Sequence, residues 1–504
     1  MNKSDQAIFI DLRRKQPQRT AVFATAAAFL LIAVVFPLLF CRLYLPAAGL
    51  LGVAVLVALW KAVVFTTEHR EWVVLPIWMT FAIISVSFFD DAVRAPIHYG
   101  LLTIFCVPLL PAAFRSGLIR RGGYRLYIYY IGFAAFSVCY SIAPAYSLAR
   151  LYESAVVILA LIAVASEVNG KDDIDRILAH LFLGCTIITA LMMVSLVLPH
   201  SLSWVSPEAS LEPSVIKQMH SMGVSVDGIE RFQSIFSGPN DVGALMLVTI
   251  GVGLTRWDRV KSSEKALIAV VIACAALCGV LADSRSPFVA LAIGTALFVV
   301  WRHGLRGLLA MGALVTATCA LLVATGHDFS AYTSRGDITT LTGRTEMWAF
   351  VVKQIASHPI LGFGYEVGGA IFDNPYFPLW WGPWDQGPHV SVHNGYLSHA
   401  IGVGIPVTLF WLYIMLAPWV FTFSRSEDRW QIKRLFFFLL VPILVHNMSE
   451  VMADDAIGIV GFFFGLLWVL GERYRLVIAS NERAAAARHR ATMPRAVAVF
   501  VPSE

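Results

Sequence analysis

Charge is what this sequence has least of. Only 14% of its 504 residues are Asp, Glu, Lys or Arg, against about a quarter in a soluble domain, and 58% are hydrophobic. That balance excludes a soluble globular chain and points to an integral membrane protein with many spans. The net charge of +5 follows from membrane orientation and is too small to indicate nucleic acid, and no nucleic-acid-binding motif occurs. The seven cysteines lie in or at the ends of apolar runs, with no CxxC or Cys-His spacing. A disulfide framework and a thiolate metal site are therefore not expected. There is no Walker loop, GxGxxG, HExxH or partnered GxSxG, and no Asp-x-Asp pair suited to a nucleotide-sugar metal, so the usual nucleotide and metal chemistries have no foothold. Asp90-Asp91 and Asp454-Asp455 read as solvated caps in short loops. No metal, no cofactor and no internal repeat are expected.

Long apolar runs dominate what is present. A spanning helix needs about 20 mostly apolar residues, and about 14 segments qualify: 21–41, 46–65, 72–89, 97–113, 125–142, 151–166, 175–198, 239–255, 266–282, 286–301, 306–324, 394–422, 435–450 and 456–471. The polar start, 1–20, lacks the form of a cleaved signal and reads as a cytoplasmic tail. With that tail inside, 29 of the 38 lysines and arginines fall on the cytoplasmic face and 9 on the other, as the positive-inside rule requires. The expectation is an all-α polytopic protein with both termini cytoplasmic. Its parts are a tail (1–20), N-terminal spans (21–198), a first outer loop (199–238), core spans (239–324), a large outer loop (325–393), C-terminal spans (394–471) and a basic tail (472–504).

The large outer loop is too long for a connector, and loops of that length are commonly functional. The pattern RTEMWAFVVKQIAS predicts a helix over Arg344–Ser357, ended by His358-Pro359 and amphipathic enough to lie on a membrane surface. Glycines follow at 362, 364, 368 and 369, then Tyr376, Phe377, Trp380, Trp381 and Trp384. Two readings of Tyr376, Trp380, Trp381 and Trp384 stand: an interfacial aromatic belt, or a platform on which sugar rings stack.

Four cationic or titratable residues gather at this outer face. His393, in HNGYL, opens the span after the large loop, and an imidazole there can take a proton from a hydroxyl; an ordinary interfacial histidine is the competing reading. The spacing of His389 and His393 lacks an HExxH context, so no metal is assigned. Arg285, in ADSRSP, precedes a proline suited to a first helical turn. A guanidinium beside free helix amides seats phosphate oxygens; pairing with Asp283 is the alternative. Arg231, in ERFQSIFSGPN, lies where the first loop re-enters the membrane, with Glu230 beside it. Arg344, in TGRTE, starts the loop helix, where a solvated first turn is the simpler reading. Cations held near a bilayer suggest an anionic ligand, and a lipid-linked phosphate can reach that depth.

In order along residues 225–415, RFQSIFSGPNDVG, DSRSPFVALAIG, TGRTEMWAFVVKQIASHPILGFGYEVGG and HNGYLSHAIGVGIPV resemble the O-antigen ligase and polymerase superfamily. The resemblance implies a bundle similar to GT-C type membrane glycosyltransferases, with a helical periplasmic loop, in the bacterial inner membrane. It implies metal-independent, inverting transfer of a glycan from undecaprenyl diphosphate, with the active site facing the periplasm. His393 would activate the acceptor hydroxyl, and Arg231 and Arg285 would hold the diphosphate; the role of Arg344 is less defined. Partners would be the lipid-linked donor, a glycan acceptor and the bilayer, with a chain-length regulator and a flippase alongside. A polysaccharide polymerase is the expectation, on the aromatic loop. A ligase acting on lipid A core or protein is the runner-up. A transporter of lipid-linked sugars, from another class, would place arginines of both halves around one mid-membrane cavity.

Overall fold

The computed structural model describes residues 69–84, 91–197, 204–205, 231–236, 238–324, 344–368, 371, 392–423, 430–450 and 458–492. The two expected spans at 21–41 and 46–65 lie outside them, as do Tyr376, Trp380, Trp381 and Trp384. The helices are α1 (Val74–Ile84), α2 (Asp91–Cys106), α3 (Leu110–Arg115), α4 (Gly122–Val138), α5 (Pro144–Ala165), α6 (Lys171–Ser195) and α7 (Pro239–Arg256). They continue with α8 (Ser262–Leu281), α9 (Arg285–Ala324), α10 (Arg344–Ser357), α11 (Gly395–Phe423), α12 (Trp430–Leu435), α13 (Val441–His446) and α14 (Gly458–Thr492). Two short strands, β1 (Trp204–Val205) and β2 (Arg231–Phe232), pair antiparallel, with Val205 opposite Arg231.

Among the described residues, six helical stretches are long and apolar enough to cross a membrane: Pro96–Arg115, Pro144–Ala165, Asp172–Ser195, Ser262–Leu281, Arg285–Gly307 and Gly395–Val420. The protein is thus a mostly helical membrane protein. Not every expected span is one continuous long helix. Residues 72–89 hold the 11-residue α1, and 435–450 contains the π-helical stretch Phe436–Leu440 between α12 and α13. The expected turn between 301 and 306 is a kink at Gly304 inside α9.

A helix apolar on all sides belongs in the middle of a bundle, and α14 sits there. Its Val460, Phe462, Phe463, Phe464, Leu466 and Trp468 are all buried, and it packs against α5, α7 and α11. The Trp468 ring lies on Tyr124 and Tyr127 of α4, and the Tyr124 hydroxyl donates to the Val469 carbonyl at 2.7 Å. The π-helical stretch lays its backbone on Gly251 of α7 and Gly294 of α9. This places the chain just ahead of α13 against those two helices.

The loop helix α10 packs one side on protein. Val351 and Ile355 bury against Phe363, Val367, Val392 and Ile401, while Val352 on the other side is exposed. What holds the segment after α10 is a break in α11. Pro406 has no N–H to offer Gly402, and Gly404 takes φ 82°, ψ 165°, which opens the helix. The freed carbonyls of Ile401 and Gly402 accept from the N–H groups of Phe363 and Gly364 at 2.9 and 2.8 Å, and Ile405 N–H donates to Pro359 at 2.8 Å. Irregular backbone is tolerated at such depth only where its polar groups are satisfied in this way. The Ser147 hydroxyl holds the Tyr365 carbonyl at 2.6 Å and Ile142 N–H the Phe363 carbonyl at 3.0 Å. The starts of α5 and α11 therefore share one end of the bundle.

Gly404→Ala tests the break. Its backbone angles suit glycine, and an added Cβ would sit 2.1 Å from the Ile360 carbonyl oxygen. Strain of this kind costs about 1–3 kcal/mol before the clash is counted. The variant is expected to unfold at lower temperature in detergent; an unchanged unfolding midpoint would contradict the break's role.

Candidate functional site

Each candidate side chain at this end is placed by a helix terminus. Helix α8 ends at Leu281, and Asp283 adopts φ 47° where glycine is usual. The Asp283 and Ser284 N–H groups return to Val280 and Gly279 at 2.9 and 3.3 Å, the bonding of a Schellman cap. Arg231 completes that end: its Nε donates to the Ala282 carbonyl at 2.9 Å and its Nη2 to the Asp283 carbonyl at 3.3 Å. Helix α9 begins at once with Arg285, whose side chain is 43% exposed and pairs with Asp283 at 3.3 Å. The alternative reading of Arg285 as a partner of Asp283 is thus realised, and the guanidinium still reaches solvent.

His393 is placed from below and above. It takes φ 50°, at about 1–2 kcal/mol for a residue with a Cβ. Asn394 then caps α11, its Oδ1 accepting from Leu397 N–H at 3.0 Å, and its Nδ2 donates to the Met448 carbonyl at 3.0 Å. Gly395 N–H donates to the Asn447 carbonyl at 2.9 Å, and a Cβ at 395 would stand 2.1 Å from Asn447 Oδ1, so a larger residue would have to displace the Asn447 side chain. From above, Trp348 Nε1 on α10 donates to the Val392 carbonyl at 3.0 Å. Arg344 opens that same helix one turn earlier; its side chain lies outside the described residues.

One carboxylate joins these pieces. Glu450, buried after α13, accepts from His393 Nδ1 at 2.8 Å with one oxygen and from Asn240 Nδ2 at 3.1 Å with the other. Asn240, in the first turn of α7, in turn accepts from Arg231 Nη2 at 3.3 Å. Beside it, the Ser286 hydroxyl and buried His446 Nδ1 lie 3.1 Å apart. The chain of contacts His393–Glu450–Asn240–Arg231–Asp283–Arg285 brings together three of the four expected cationic residues. Glu450 and Asn240 were not anticipated from sequence. The readable signal was an acid at the end of an otherwise apolar span, a functional pointer by default.

The electrostatics favour an anion. Three helix amino ends, those of α7, α9 and α11, meet at this network, each with the positive end of its dipole. Four non-glycine residues among those described have positive φ. Three of them (Ser234, Asp283 and His393) fall within three positions of an expected site residue or are one. Backbone strain concentrated in this way is usual at working sites. The His393 side chain is 32% exposed.

Glu450→Gln keeps the size of the side chain and removes its charge. If Glu450 orients the imidazole and balances its protonated form, turnover falls by about 100-fold or more while the unfolding midpoint moves little. Wild-type turnover in this variant would contradict the assignment.

No curated protein matches the chain. The family model described as O-antigen ligase matches residues 268–412. That stretch spans most of α8, all of α9 and α10, and α11 to Leu412, so it contains Arg285, Arg344 and His393. Arg231, Asn240 and Glu450 lie outside it. The match at 268–412 supports the O-antigen ligase and polymerase superfamily for this chain.

Proposed function

We propose that this end of the bundle transfers a glycan from a lipid diphosphate, undecaprenyl diphosphate, to an acceptor hydroxyl, at the periplasmic face of a bacterial inner membrane. The observation that carries the reading is the His393–Glu450 pair linked through Asn240 to an arginine cluster at three helix amino ends. An ionised Glu450 has no proton to give, so the His393 Nδ1 donates to it and Nε2 is left with a lone pair. Nε2 accepts the acceptor's hydroxyl proton as that oxygen bonds to the anomeric carbon. The bond from that carbon to the diphosphate oxygen breaks, and the electron pair leaves with the diphosphate. Glu450 stabilises the imidazolium formed. Arg285 and the amino end of α9 meet the negative charge on the leaving group. Arg231 acts as a strap that holds the 282–285 turn beneath the diphosphate. Attack from the face opposite the leaving group inverts the anomeric centre. Arginines and helix dipoles supply the charge stabilisation that such a reaction needs, so the reading is metal-independent.

The acceptor separates two versions. A polymerase adds the growing chain to the next lipid-linked repeat unit, and this is the version favoured by the aromatic run around Trp380, Trp381 and Trp384. A ligase moves the finished glycan to lipid A core or protein, and the family description at 268–412 favours it. A transporter is disfavoured, because the arginines described here gather at the two ends of the bundle.

His393→Ala and Arg285→Lys, each expressed in cells lacking the native copy, test the reading on a gel of lipid-linked and exported glycans. Single repeat units accumulating on lipid in both variants mean a polymerase. Long chains stranded on lipid mean a ligase. Lysine at 285 offers a point charge without the guanidinium fork and is expected not to restore transfer. Wild-type glycan from His393→Ala would overturn the proposal.

A further inference from the structure

The opposite end of the bundle holds a second cluster of arginines. Arg70 on the 3-10 turn Arg70–Trp72, Arg115 at the end of α3, Arg121 just before α4 and Arg473 on α14 line one cavity of about 390 Å³. Ser116 and Ser166 also face it, over a floor of Ala112 and Leu118. This end is remote from His393, because α4 begins here and runs to Val138, two residues before Tyr140, whose hydroxyl donates to the Leu361 carbonyl beside the α11 break.

The positive-inside bias accounts for basic residues on this face. It does not account for four guanidinium groups from four separate stretches of chain converging on one cavity. Like charges so placed repel unless an anion sits among them. One carboxylate is paired into the cluster, Glu167 with Arg70 at 3.1 Å. Arg473 is braced in place, its Nε donating to the Val168 carbonyl at 2.8 Å and its Nη2 to Asn169 Oδ1 at 3.4 Å. Arg115 and Arg121 are exposed at the mouth. The cavity therefore combines a fixed cation, two accessible guanidinium forks and two serines, a donor set matched to phosphate oxygens. Basic pockets between membrane helices on this side of a bilayer take phosphate head groups.

We infer that this cavity binds a phosphate group, either the head group of an anionic phospholipid or a free phosphate, at a site separate from the His393 network. The inference does not rest on the proposed transfer reaction. The test uses the full chain purified in neutral detergent, with the double variant Arg115→Gln and Arg121→Gln. The Arg115 side chain bonds within its own helix, to Pro111, so the fold does not depend on it. A control pair, Lys261→Gln and Arg306→Gln, removes the same charge from exposed positions at the same end.

Native mass spectrometry with phosphatidylglycerol and phosphatidylcholine reads the lipid arm. Thermal unfolding with inorganic phosphate against chloride at equal ionic strength reads the free-anion arm. Selective retention of phosphatidylglycerol, weakened about tenfold or more in the cavity variant and kept in the control, supports a lipid head group. Stabilisation by inorganic phosphate, without lipid selectivity and lost in the cavity variant alone, supports a free phosphate. Equal losses in both pairs, binding unchanged in the cavity variant, or no binding of either probe would overturn the inference.

Discussion

The buried carboxylate of Glu450 is the constraint on which the candidate site depends. A carboxylate that is only 6% exposed is tolerable only if both oxygens are satisfied by polar partners. Two of its partners, His393 and Asn240, come from the amino ends of different helices. Satisfying one acid therefore fixes α7 against α11, and through Asn240 and Arg231 it fixes the turn that carries Arg285. The positions of the cationic groups follow from the need to bury one anion well. The same need accounts for the left-handed backbone at His393, a strain that the capping by Asn394 and the close seat of Gly395 hold in place.

The broken helix α11 serves that arrangement from the other side. Had α11 been continuous, its carbonyls would have been spent internally, and residues 359–365 would have had nowhere to bond at membrane depth. The Gly404 and Pro406 break opens the carbonyls of Ile401 and Gly402, and the segment after α10 threads onto them. Helix α10 is thereby held on the protein, where Trp348 grips the carbonyl just ahead of His393. Loop, break and histidine form one mechanical unit built from backbone groups that a regular helix would have hidden.

Much of this was legible in the sequence, for identifiable reasons. Apolar runs long enough to span a bilayer announce the membrane class, and RTEMWAFVVKQIAS announces a helix because its apolar spacing is helical and a proline follows it. Arg285 and His393 stood out because charges and polar groups are rare near such spans. Which side of α10 would be covered was not legible, since a membrane and a neighbouring helix offer the same apolar contact. The break in α11 was hidden because its glycines and proline also suit an ordinary membrane helix. Glu450 and Asn240 were missed because their role is a relation between residues 210 positions apart in the chain, and local spacing carries no trace of it. Arg231 reads the same way in isolation as a loop charge; only the fold shows its Nε and Nη2 spent on the end of α8.

The most direct test of the central claim is an electron cryomicroscopy structure of the full chain in a lipid nanodisc with a non-hydrolysable undecaprenyl-diphosphate glycan. The account predicts the diphosphate against Arg285 and the amino end of α9, with the anomeric carbon facing His393 and the His393–Glu450 contact intact. Diphosphate bound elsewhere, with Arg285 and His393 facing away from it, would contradict the account.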